Sequence, residues 1–110
     1  MFIAHEVSLS VIRSLRPLID RLRTRDANLA DQMARAASSA ALNLSEGAKR
    51  AGKDRSHHYR IAAGSCAETR TALTVADAWG HLEGADLSKA LALLDRQAAL
   101  LHRLAHPRAR

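Results

Sequence analysis

Arg35, Ser39, Asn43 and Glu46 recur at intervals of four, four and three residues, the spacing of one helix face. A guanidinium, a hydroxyl, an amide and a carboxylate in one row can donate and accept along a seam between two helices. Ser65 and Glu68 supply facing partners further down the chain. A reversal near Gly52 sets Arg35 beside Glu68, Ser39 beside Gly64 or Ser65, and Glu46 beside His57. The expected chemistry is structural: an inter-helix polar network that fixes register, with Arg35 and Glu68 as an ion pair. A ligand or catalytic site built on the same stripe is the lesser alternative.

A second group is basic. Lys49, Arg50, Lys53, Arg55 and Arg60 lie close together in sequence, and the tail adds Arg103, Arg108 and Arg110. An up-down helical chain brings both sets to one end, where only Glu6, Glu46 and Asp54 oppose them. Positive charge gathered in this way is the electrostatic footprint of phosphate binding. The chain has one Phe, one Tyr and one Trp, so bases would find few rings to stack on. The expected binding is therefore to nucleic-acid backbone, without sequence readout. A plain solvated basic surface is the competing reading.

Other reactive residue types form no constellation. His5, His57, His58, His102 and His106 collect near the same end. His102 and His106 have a metal-compatible spacing on one helix face, but no Cys or carboxylate cluster completes a site. Ser38 and Ser39 lack a His and an acid in a catalytic order. The segment from Gly47 to Gly52 lacks the spacing of a phosphate-binding loop. Cys66 falls inside a helical pattern and reads as a small core residue. The expectation is no enzyme, no cofactor and no metal.

These residues need helices to hold them. The chain has 110 residues, 47% hydrophobic but only 3% aromatic, so its apolar mass is Ala and Leu, both strong helix formers. That length suits a single domain over residues 1–110. The periodicity predicts an all-α, antiparallel up-down-up-down four-helix bundle, with helices at about 3–23, 28–50, 54–80 and 86–105. Val7, Val11, Leu15, Leu18 and Leu22 form the inner stripe of the first helix, and Pro17 within it predicts a kink or a lost hydrogen bond. Leu29, Met33, Ala36, Ala37, Ala40 and Leu44 line the second, with Asn28 as its cap. Ile61, Ser65, Ala72, Val75, Ala76 and Trp79 line the third, with Asp54 as its cap and Gly64 allowing close packing. Leu87, Leu91, Leu94, Ala98 and Leu101 line the fourth, with Asp86 as its cap.

Leu93, Leu100 and Leu104 add a second apolar face to the fourth helix. One bundle core rarely covers so wide a stripe, which predicts an oligomer interface there; partly exposed leucines of a monomer are the alternative. The net charge is +6 with neutral His. A lone Cys66 excludes an intrachain disulfide, no signal peptide is apparent at the start, and no apolar run spans a membrane. A cytoplasmic, non-membrane protein is expected.

The middle of the chain carries a more specific pattern. Arg35-Ala36-Ala37-Ser38-Ser39 leads to Asn43-Leu44-Ser45-Glu46-Gly47, then a basic loop, then Tyr59-Arg60-Ile61-Ala62-Ala63-Gly64-Ser65-Cys66-Ala67-Glu68. Over roughly residues 29 to 84 this resembles the four-helix bundle proteins encoded in intervening sequences of bacterial 23S ribosomal RNA genes. The resemblance implies a ring-shaped homo-oligomer, most often a pentamer, without enzyme activity. It also implies kinship with the accessory protein of diversity-generating retroelements, a basic bundle that binds nucleic acid and a reverse transcriptase. The combined expectation is a nucleic-acid-associated accessory or adaptor protein. The alternative is a ring that only binds protein partners.

Overall fold

The computed structural model describes residues 2–107. Four helices run α1 Ile3–Arg23, α2 Ala27–Ala48, α3 Gly52–Ala78 and α4 Ala85–Ala105. Each packs on its neighbours in cyclic order, α1 on α2, α2 on α3, α3 on α4 and α4 back on α1. Short connections force successive helices antiparallel. The result is an all-α up-down bundle with principal extents of 46 × 23 × 23 Å. Among the described residues, no helix is long and apolar enough to cross a membrane.

The core follows the heptad-like spacing of the leucines. Leu15, Leu18, Leu22, Met33, Leu44, Leu73, Leu94 and Leu101 are fully buried. Small residues fill the rest: Ala30, Ala40, Ala62, Ala76 and Ala90 are enclosed completely. A core this rich in Ala lets helix axes approach closely, so a fit depends on single methyl groups. Pro17 sits on the exposed face of α1, and the helix runs unbroken through it. Pro17 has no N–H to donate to the Arg13 carbonyl, so one helical hydrogen bond is missing on that face.

Several expected inner positions differ. On α3 the buried line is Tyr59, Ala62, Cys66, Thr69, Ala72, Leu73 and Ala76. Ile61 and Val75 lie at 37% and 38% exposure and Trp79 at 71%. The polar residues of α3 blur its period, which placed the stripe about a quarter-turn off. On α4 the inward position between Leu94 and Leu101 belongs to Gln97, while Ala98 is exposed. Leu93, Leu100 and Leu104 are half-buried and pack against the core. Part of the wide apolar stripe of α4 is thus used within the chain, where α1 covers it.

The caps also shift. Asp26, not Asn28, accepts the Leu29 N–H at 3.0 Å at the start of α2. Asp54 and Asp86 lie in the first turns of α3 and α4, where their charge still suits the positive helix end. The end of α3 is closed by Gly80 at φ 75°, with Gly80 N–H bonding the Asp77 carbonyl and His81 N–H the Ala76 carbonyl. This six-to-one, five-to-two pair of bonds needs a left-handed residue, which glycine adopts without steric cost.

Candidate nucleic-acid interface

The topology collects the start of α1, the α2–α3 turn and the end of α4 at one tip of the bundle. Lys49, Arg50, Lys53, Arg55, Arg60 and Arg103 therefore share a region with Glu6, Glu46 and Asp54, and all six cations are exposed. The remaining expected members, Arg108 and Arg110, lie outside the described residues.

The six are not equivalent. Arg50 is held by two carboxylates: its Nη2 reaches Glu46 Oε1 at 2.8 Å and its Nη1 reaches Asp54 Oδ2 at 2.8 Å. The hydrogen bond from Arg50 holds Glu46 below the usual carboxylate range, and the same bonds raise Arg50. Arg50 thus bridges both acids of the turn and offsets one of their two charges. Arg55 donates its Nε–H to the Gly47 carbonyl at 3.3 Å, at the end of α2. Lys49, Lys53 and Arg60 pair with no carboxylate among the described residues, which leaves them available to an outside anion. The start of α3 adds backbone N–H groups with no side-chain cap.

Counted to the same depth, the opposite tip is nearly balanced: Arg16, Arg21, Arg23, Arg25, Arg35, Arg70 and Lys89 meet Asp20, Asp26, Asp31, Asp77, Glu83 and Asp86 there. Arg21 bonds Asp86 at 2.7 Å, and Arg23 bonds Asp31, whose carboxyl is held low by that hydrogen bond. Trp79 stacks on His81 at this tip, with ring centroids 6.4 Å apart, so its exposed indole is remote from the basic end.

Behind the basic tip runs the polar seam of α2 and α3. Ser39 Oγ and Ser65 Oγ are 2.8 Å apart. Asn43 donates through Nδ2 to the Ser39 carbonyl at 3.0 Å and to Ser39 Oγ at 3.2 Å. His58 Nδ1 lies 3.1 Å from Asn43 Oδ1, and His58 Nε2 lies 3.9 Å from Asp54 Oδ1. The seam therefore continues through Asp54 and Arg50 to Glu46. His58, rather than His57, turns toward α2; His57 is exposed and meets the His58 ring edge-on. Among the described residues, Arg35 and Glu68 form no ion pair with each other or with any other residue. Both are exposed, and water screens the attraction that would draw them together.

Sequence reasoning misplaced one glycine and missed one pair. Gly64 is exposed, and a Cβ there would meet nothing within 4 Å. Gly47 is the close-packed one: a Cβ there would lie 2.7 Å from Tyr59 Cε1 and 3.2 Å from His58 Cβ. The missed pair joins α4 to α1. Gln97 donates through Nε2 to Ser8 Oγ at 2.9 Å, and Ser8 in turn donates to the Ala4 carbonyl at 2.8 Å. A Gln flanked at three and four residues by Leu94 and Leu101 was the available signal. Every buried side-chain N or O among the described residues has a partner.

Nothing here resembles a reaction centre. Cys66 is buried, its Sγ 3.7 Å from the Leu94 carbonyl, and burial pushes its thiol up to about 11. A thiol so disfavoured from ionising is a poor nucleophile. The His102 and His106 rings meet at a 32° tilt with centroids 4.5 Å apart. Among the described residues, no group of three or more His, Cys, Asp or Glu is placed to hold a metal.

Comparison with known proteins agrees with this architecture. A crystal structure at 1.70 Å of a protein of unknown function from the S23 ribosomal protein family of Bacteroides thetaiotaomicron superposes with a TM-score of 0.82 at 17% identity, covering 94% of this chain and 98% of that one. At that identity the likeness concerns the fold. No curated protein matches the chain. The model of the 23S rRNA-intervening sequence protein family matches residues 3–103, all four helices, and the chain belongs to that family.

Proposed function

We propose that this chain is a non-enzymatic, homo-oligomeric accessory protein that binds the phosphate backbone of RNA or DNA through its basic end. The observation that carries the reading is the contrast between the two tips. Among the described residues one tip holds six cations against three acids, Lys49, Lys53 and Arg60 among them without carboxylate partners, while the other, to the same depth, holds seven against six. Phosphate contacts from such cations release condensed counterions, which makes affinity fall steeply with salt. Among the described residues the exposed rings at this tip are Phe2 and the imidazoles of His57, His102 and His106, with no exposed Tyr or Trp, so sequence readout by stacking is not expected. A ring of like-oriented subunits, pentameric in the finer form of the proposal, repeats the patch and sums its field. In that finer form the accessory protein serves a reverse transcriptase, as in the diversity-generating retroelements it resembles.

The test is binding of a structured RNA and a DNA duplex across a salt series. The expected result is a steep log–log slope that flattens by about one for each of Lys49→Gln, Lys53→Gln and Arg60→Gln. Binding indifferent to salt and to these substitutions would overturn the proposal. One observation favours a second reading, a scaffold for protein partners. Leu42 and Trp79, at 69% and 71% exposure, are large apolar side chains left in water. That reading expects no salt-dependent binding to nucleic acid.

A further inference from the structure

We infer that the outer face of α2 and α3 is a self-docking surface, on which a second copy lies side by side with the first and the same end up. Arg35 of one copy then pairs with Glu68 of the next. The inference rests on the homo-oligomeric part of the proposal above and gives it a place on the molecule.

Three observations converge on this face. The first is charge. Arg35 lies one turn from Ser39, and Glu68 one turn from Ser65, on the same side of the 2.8 Å Ser39–Ser65 contact. The two ions thus flank the outer groove between the helices, yet among the described residues neither is within ion-pair distance of an opposite charge, Arg35 acting on Asp31 only at longer range. By contrast, Arg21 with Asp86 and Arg70 with Asp95 both pair between helices at 2.7 Å. An exposed cation and an exposed anion without partners on one face are complementary to a second copy of that face.

The second observation is apolar. Leu42, at 69% exposure, stands seven residues from Arg35, and Ile61, at 37%, stands seven from Glu68. Both lie two turns, about 10.5 Å, toward the basic end. When α2 of one copy runs antiparallel to α3 of the next, the register that joins Arg35 to Glu68 also sets Leu42 on Ile61. Since α2 and α3 are antiparallel within a chain, that pairing keeps the copies parallel.

The third observation is Gly64, which lies between Ile61 and Glu68. It weakens the helix interior, and no neighbour in its own chain fills the space a Cβ would take. A ridge from another copy does need that space. The side of the bundle, 46 Å by 23 Å, offers on the order of 1,000 Å², against about 800 Å² per partner in standard interfaces.

Light scattering on the full chain tests this. The wild type is expected at a multiple of 11.9 kDa. Arg35→Glu and Glu68→Arg alone, and Gly64→Leu, are expected to fall to the single-chain mass with helical circular dichroism retained. An equimolar mixture of Arg35→Glu with Glu68→Arg is expected to rise above the single-chain mass, since every contact between unlike variants restores the pair; a ring of five leaves one contact between like variants, so an even-numbered or open assembly is expected. Recovery in the mixture is a result that an ion pair within one chain does not produce. A wild-type multiple unchanged in all three variants overturns this surface and leaves the oligomer standing. Dissociated variants that stay apart when mixed overturn the pair between copies. A single-chain wild type overturns both.

Discussion

The seam between α1 and α4 and the seam between α2 and α3 close the same bundle by opposite means. The first is lined by Leu93, Leu100 and Leu104 and contains one fully enclosed polar contact, Gln97 to Ser8. The second is a run of half-buried hydroxyl, amide and imidazole groups: Ser39, Ser65, Asn43 and His58. A polar group with no access to water must find its partner inside the protein. One that keeps part of its surface in water can replace a lost partner. The comparison teaches that the number of polar bonds in a seam says little about how much each stabilises. Enclosure decides it.

Four measurements break or sharpen that contrast. The largest effect is expected on the polar seam, from packing: Gly47→Ala places a methyl against the buried Tyr59 ring, which has no room to swing aside. Overpacking of this kind costs about 1–3 kcal/mol, read as a lower urea midpoint. Next comes Ser8→Ala, which leaves the Gln97 amide enclosed without an acceptor. Its expected cost is about 1–2 kcal/mol by the same measurement. Ser39→Ala removes an equally short bond in a wetter place and should cost below about 1 kcal/mol. If Ser39→Ala proves costlier than Ser8→Ala, enclosure is not the deciding quantity.

The smallest effect is on pH. Glu46 titrates below its ordinary value of 4.5 because Arg50 bonds it in the folded chain. A carboxylate depressed by folding adds stability above its unfolded value, and that stability is lost as pH falls through the folded value. Unfolding midpoints should therefore drop as pH falls below about 4.5, and Glu46→Gln should shrink the drop. The group is exposed, so the change is small and fades in high salt.

Much of the bundle was legible from spacing. The Val7–Leu22 stripe of α1 is buried at every position expected, because a helix with few polar interruptions shows its period plainly. The third helix did not. Its inner line mixes Tyr59, Cys66 and Thr69 with alanines, and its large apolar residues Ile61, Val75 and Trp79 face outward. Hydrophobicity alone picks the wrong side of such a helix. The contact between Ser39 and Ser65 follows from antiparallel register. The pairing of Arg35 with Glu68 does not, because flexible exposed ions need not meet even across a correct register. Which lysines remain unpaired at the basic tip could not be read from charge counting either. That depends on Arg50 reaching both Glu46 and Asp54, a matter of side-chain geometry.

The arrangement of helix ends has a practical side. The start of α1 and the end of α4 both lie at the tip that carries the α2–α3 turn, so a fluorophore attached at Phe2 or Pro107 would crowd Lys49 and Lys53. Such a label would mask or mimic loss of binding in any assay of that tip. The connection around Glu83, at the far pole, is exposed and accepts an inserted label, provided it spares the buried Leu82. A probe placed there reports on the protein without touching the basic tip.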